Sequence, residues 1–185
     1  MARDAELGRR LVDKLARVYS RDGEEDLVLV HVEVQGQREE AFAQRMFVYN
    51  YRLFDRYRKP VVSLAVLGDR ATQWRPDGFG YRRWGCEMGI RFPLVKLLDC
   101  RGQDLEAERN PFAVVVLAHL KALETAGDEE GRYRWKMRLV RGLYERGYGR
   151  KDILELFRFI DWVLQLPEAL EERFWSELSS HEEAQ

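Results

Sequence analysis

Asp13, Glu33 and Gln35 are the side chains whose types and spacing suit metal-assisted hydrolysis. The segment 27–35 is apolar and β-branched up to His31, then alternates. Residues two apart in a strand share a face, so His31, Glu33 and Gln35 fall together with Leu27 and Leu29, opposite Val28, Val30, Val32 and Val34. Asp22-Gly23 is a hairpin turn signal. Pairing about a slightly widened turn sets Tyr19 opposite Leu27 and Asp13 opposite Glu33. Carboxylates on neighbouring strands can share one divalent cation. Oxygen donors suit Mg2+, with Mn2+ as a substitute, whereas Zn2+ calls for more His or Cys. Such an ion lowers the pKa of a bound water and neutralises charge on a phosphoryl group, and Gln35 is placed to orient that water. The competing reading makes Asp13 and Glu33 solvated carboxylates at a sheet edge.

Other side chains extend this constellation, each with an alternative. His31 can meet the metal water or a phosphate, or it can be a hydrogen-bonded core residue. Arg45, Tyr49 and Arg52 recur at i, i+4 and i+7 and can reach a DNA phosphate. Equally, Tyr49 packs and the arginines pair with acids. Residues 38–59 carry six basic and three acidic side chains, a net charge of +3 and a modest basic patch. Phe79, Tyr81, Trp74 and Trp84 interleave with Arg75, Arg82 and Arg83, which suits single-stranded or distorted nucleic acid or the capping of a sheet edge. Residues 132–151 hold a basic run that is either DNA-facing or the solvated face of a bundle helix.

The elements that must position these groups follow from pattern. Residues 1–11 have helical spacing, and 12–19 and 27–35 read as strands. Residues 39–58 form a helix whose stripe is Phe42, Met46, Tyr49 and Leu53, stopped by Lys59-Pro60. Val61–Leu67 is a buried strand, and 79–83, 88–92 and 95–98 carry weaker strand patterns. From Asn110-Pro111 onward the chain reads as helices at 112–126, 129–146, 151–165 and 168–179, broken at Gly127, Gly147 and Pro167. Strands with an interposed helix, then helices alone, indicate an α/β or mixed α+β core with a helical extension.

The composition sets bounds. A chain of 185 residues with 45% hydrophobic residues suits one core plus a helical appendage. A formal net charge of −1 rules out a generally basic polyanion binder, so any nucleic-acid surface is local. Cys86 and Cys100 lack metal-ligand spacing and read as reduced thiols. The first ten residues lack the apolar stretch of a signal peptide, and 112–118, the longest apolar run, is too short to span a bilayer. A cytoplasmic protein without membrane association is expected.

The ordered strings Val12-Asp13, His31-Val-Glu-Val-Gln-Gly-Gln37, Phe42-Ala-Gln-Arg-Met-Phe-Val-Tyr-Asn-Tyr-Arg52 and Val61-Val-Ser-Leu-Ala-Val-Leu-Gly-Asp69 resemble the recombination-promoting nuclease (Rpn) family, also called YhgA-like transposases. That family lies within the PD-(D/E)XK nuclease superfamily, and the likeness covers roughly residues 10–100. It implies a restriction-endonuclease-like mixed sheet flanked by helices over 1–108, with 109–185 as a helical extension. It implies a Mg2+-dependent DNA endonuclease, with Asp13, Glu33 and the Val34 carbonyl as metal ligands and Gln35 as a catalytic residue. Two positions depart from the superfamily pattern: Gln35 stands where Lys is usual, and Val12 where Pro is. Few residues precede Asp13, although such cores usually begin with a full helix. Gln exchanges hydrogen bonds but supplies no positive charge. A homodimer follows if both DNA strands are cut. The alternatives are a nuclease-fold module of weak or lost activity that binds nucleic acid or a protein, and a helical interaction protein built on residues 110–180.

Overall fold

The structure, a computed structural model, describes residues 14–18 and 28–182. The chain divides into two compact units, residues 1–99 and 100–185. Its class is mixed α/β.

The first unit is built on a four-stranded sheet in the order β1-β2-β3-β6, where β1 is Lys14–Val18, β2 Val28–Gln35, β3 Val61–Leu67 and β6 Leu94–Lys96. β1 and β2 pair antiparallel, from Lys14 opposite Val32 to Val18 opposite Val28. This is the register expected from the Asp22-Gly23 turn. Asp13, the turn itself and the expected helix over residues 1–11 lie outside the described residues. β2 and β3 are parallel, with His31 opposite Ser63, Glu33 opposite Ala65 and Gln35 opposite Leu67. β6 extends the parallel part, with Lys96 opposite Leu67.

Parallel neighbours need a crossover, and α1 (Phe42–Tyr57) provides it between β2 and β3. Phe42, Met46, Tyr49 and Leu53 are its buried stripe, as the periodicity predicts. With Ala65, Leu67 and Phe92, Phe42 and Met46 form the core of this unit. The helix starts three residues later than expected, because 39–41 form a turn and the Glu39 carboxylate is drawn to Arg45. It ends at Arg58, whose φ of 51° is left-handed and whose N–H bonds the Phe54 carbonyl. Packing under α1 makes the polar face of β2 the buried one. On the opposite face Val34, near the end of the strand, is 54% exposed.

β4 (Gly78–Arg83) and β5 (Cys86–Arg91) form a separate two-stranded ribbon. Trp84 and Gly85 make its two-residue turn, with φ of 48° and 83°. Positive φ at both positions matches the right-handed twist of a hairpin. Phe79 stacks on Phe47 of α1 with ring centroids 5.5 Å apart. β6 stops at Lys96 and passes into a 3-10 turn, Leu97–Cys100, where the sequence suggests a longer strand.

The second unit comprises α2 (Pro111–Glu124), α3 (Glu129–Glu145), α4 (Arg150–Val163) and α5 (Glu168–Glu182). Asn110 and Asp128 cap α2 and α3 by accepting the backbone N–H groups of Phe112 and Gly131. Lys136 of α3 is fully buried and bonds Asp161 of α4 at 2.8 Å and Glu171 of α5 at 2.7 Å. Arg132 donates to the Ala122 and Thr125 carbonyls at the end of α2, and Arg146 to the carbonyls of Glu106 and Glu108. Arg132, Lys136 and Arg146 of the basic run over 132–151 therefore hold this unit together, whereas Arg134, Arg138, Arg150 and Lys151 are exposed. Among the described residues no helix is long and apolar enough to cross a membrane.

Candidate functional site

The polar end of β2 and the first turns of α1 meet around one guanidinium. Glu33 points to the α1 side of the sheet and is only 5% exposed. Its Oε1 accepts from Arg45 Nε at 3.0 Å. Arg45 Nη2 donates to Gln35 Oε1 at 2.7 Å, and Nη1 to Glu39 Oε2 at 2.5 Å. One planar fork thus gathers oxygens from three side chains, the geometry at which Arg surpasses Lys. Burial opposes the charge on Arg45. The hydrogen bond to Glu39 and the charges of Glu33 and Glu39 outweigh it, so its pKa is held above the ordinary value.

Behind Glu33 lies a buried polar relay. His31 Nε2 is 3.4 Å from Glu33 Oε2, and His31 Nδ1 is 3.1 Å from Ser63 Oγ. Asn50 Nδ2 donates to Ser63 Oγ at 3.1 Å and to the Val61 carbonyl at 2.9 Å. A carboxylate only accepts, so the proton of a neutral His31 belongs on Nε2. Nδ1 then accepts from the Ser63 hydroxyl, whose oxygen accepts from Asn50. The ring of Tyr49 meets His31 edge-on at 5.7 Å. The relay fixes the rotamer of Glu33 from the core side, and Arg45 fixes it from the solvent side.

The sequence-derived residues divide accordingly. Glu33, Gln35 and Arg45 come together. His31 is fully buried and takes the hydrogen-bonded core role, and Tyr49 is 6% exposed and packs. Arg52 is exposed and lies two turns along α1 from Arg45. The side chain of Val34 points to the other face of the sheet. Asp13 lies outside the described residues. Ser63, Asn50 and Glu39 join the site without having been singled out. Their signal is tertiary, since Ser63 lies opposite His31 across the sheet and Glu39 precedes Arg45 by six residues.

Among the described residues no group of three or more His, Cys, Asp and Glu forms a metal cage. The Glu33 carboxylate and the Gln35 carbonyl oxygen nevertheless converge on a cation, the guanidinium of Arg45. Oxygen donors converging on positive charge fit a hard divalent ion in kind.

A second charged cluster lies across the carboxyl ends of β3 and β6. Lys96 Nζ, fully buried, donates to Asp69 Oδ2 at 2.5 Å, and Asp69 Oδ1 accepts the Ala71 N–H at 2.8 Å. Gly68 N–H bonds the Gln35 carbonyl at 2.9 Å, so the turn carrying Asp69 also anchors the end of β2.

No protein-family model, curated protein or solved structure matches the chain.

Proposed function

We propose that the chain is a metal-dependent DNA endonuclease of the PD-(D/E)XK type, related to recombination-promoting nucleases. The observation that carries this reading is the convergence of the buried Glu33 carboxylate and the half-buried Gln35 amide oxygen on the guanidinium of Arg45 at the end of a central strand. The register of β1 on β2, continuous with the pairing expected for Asp13 and Glu33, supports it, as does the resemblance of the ordered sequence strings.

Asp13, Glu33 and the Val34 carbonyl are the groups that would hold Mg2+, with Mn2+ as a substitute. Such an ion supplies a more acidic bound water and neutralises phosphoryl charge. The side chains of the chain do the positioning. In the metal-free site His31 and Arg45 hold the Glu33 carboxylate in one orientation. Gln35 is oriented by donating to the Gln37 carbonyl at 2.8 Å, and in the metal-free site its amide oxygen accepts from Arg45. The reaction adds water across a phosphodiester, leaving a phosphomonoester end and a hydroxyl end. Homodimerisation would bring two such sites to one duplex.

Purified protein with Mg2+ or Mn2+ is expected to nick supercoiled plasmid, and Asp13→Ala and Glu33→Ala are each expected to abolish nicking. Undiminished cutting by both variants refutes the assignment. The second reading is a nuclease-fold module that binds nucleic acid or a partner without cutting. Neutralisation of Glu33 by Arg45 favours it, and DNA binding without any detectable uptake of divalent metal would establish it.

A further inference from the structure

Arg45 is the cation that this site already holds. Its three donor nitrogens are divided among Gln35, Glu33 and Glu39. Glu33, which gives one oxygen to Arg45, is buried, whereas the Glu39 side chain is 40% exposed and the Arg45 side chain 17%. The grip on Arg45 therefore runs from the buried end of the site to its solvent edge. Arg is protonated at any working pH, so this positive charge cannot be lost to solvent as a proton.

We propose that Arg45 is the internal counter-cation of the site, displaced from Glu33 and Gln35 when a divalent ion enters. It then supplies to a phosphate the positive charge that Gln35 lacks. This inference rests on the metal-dependent reading above. Two positive groups on one carboxylate repel, so the ion and the guanidinium compete for Glu33. Glu39 keeps Arg45 tethered after displacement, on the solvent side from which a backbone phosphate approaches. Two phosphate oxygens then take the places of Glu33 at Nε and Gln35 at Nη2, a bidentate match that Arg makes well.

A purely structural strap predicts the opposite response to its removal. If Arg45 only pins α1 to β2, its loss loosens Glu33 and weakens metal binding. If it competes with the metal, its loss strengthens metal binding while slowing cleavage. The test uses the full chain and the variants Arg45→Met and Arg45→Lys, with folding checked by circular dichroism. Calorimetric titration with MnCl2 is expected to show about tenfold tighter binding for Arg45→Met, the size of one charge-assisted hydrogen bond. Its single-turnover nicking is expected to fall about a hundredfold or more. Arg45→Lys, a point donor without the fork, is expected to bind Mn2+ a few-fold more tightly and to keep part of the activity. It carries the test if the Met variant does not fold. Unchanged or weaker Mn2+ binding in the folded variants overturns the counter-cation role alone. Failure of the parent to bind Mn2+ overturns the metal-dependent reading, and this inference with it.

Discussion

Breaking the Lys96–Asp69 pair gives the sharpest energetic test of how the first unit is held. Both side chains are buried, at 0% and 4% exposure, and meet at 2.5 Å. Lys96 Nζ has a further contact at 3.3 Å to the Trp74 carbonyl and stands 5.6 Å from the centre of the Trp74 ring. Asp69→Asn leaves the ammonium buried with a neutral amide and one long carbonyl contact. Lys96→Met leaves a buried carboxylate whose other bond is the Ala71 N–H. Losing one partner of a buried pair costs about 3–5 kcal/mol, because the remaining charge is uncompensated. Removing both with side chains of similar volume is close to neutral. The double variant Asp69→Asn/Lys96→Met should therefore lose far less than the sum of the single losses, with a coupling on the order of 3 kcal/mol. Urea unfolding of the four proteins, followed by tryptophan fluorescence and by circular dichroism, measures it. Single losses below about 1 kcal/mol, or losses that simply add, would show that the pair is not buried as described.

Two further outcomes follow from the same geometry. Lys136 ties α3 to Asp161 and Glu171 and lies 4.7 Å from the Phe174 ring centroid. Its partners are partly exposed, at 44% and 29%, and water relieves them when the ammonium is removed. Lys136→Met should therefore cost less than a fully buried break, about 1–3 kcal/mol in denaturant unfolding of the second unit. Trp84 projects fully into solvent at a φ of 48°, a conformation a bulky side chain adopts with strain. Trp84→Asn makes an Asn-Gly turn and should raise stability by about 0.5–1 kcal/mol. A loss of stability on that substitution would mean that Trp84 packs against something.

How much the sequence reveals depends on the range of each interaction. The strand faces of β2 and the stripe of α1 are periodic and local, so Glu33 and Gln35 are assigned to one face, and Phe42, Met46, Tyr49 and Leu53 to the core, from the sequence alone. The β1–β2 register follows from one turn dipeptide and the two-residue repeat of a strand. The choice of buried face does not follow, because β2 is apolar on one side and carries His31 and Glu33 on the other. Burial of His31 and Glu33 is set by tertiary partners, the relay through Ser63 and Asn50 and Arg45 of the crossover helix, since buried polar groups are tolerated once each is paired. Charge partners are the least legible. Arg45, Lys96 and Lys136 find acids 6 to 35 residues away, and no spacing in the sequence marks those pairs.

The most direct measurement is the anomalous signal of Mn2+ in crystals of the full chain grown with the metal. One peak is expected within about 2.2 Å of carboxylate oxygens from both Asp13 and Glu33, with Arg45 withdrawn from Glu33. Carboxylates on opposite sides of the sheet, or a metal bound elsewhere while Arg45 still grips Glu33, would contradict the hydrolytic site.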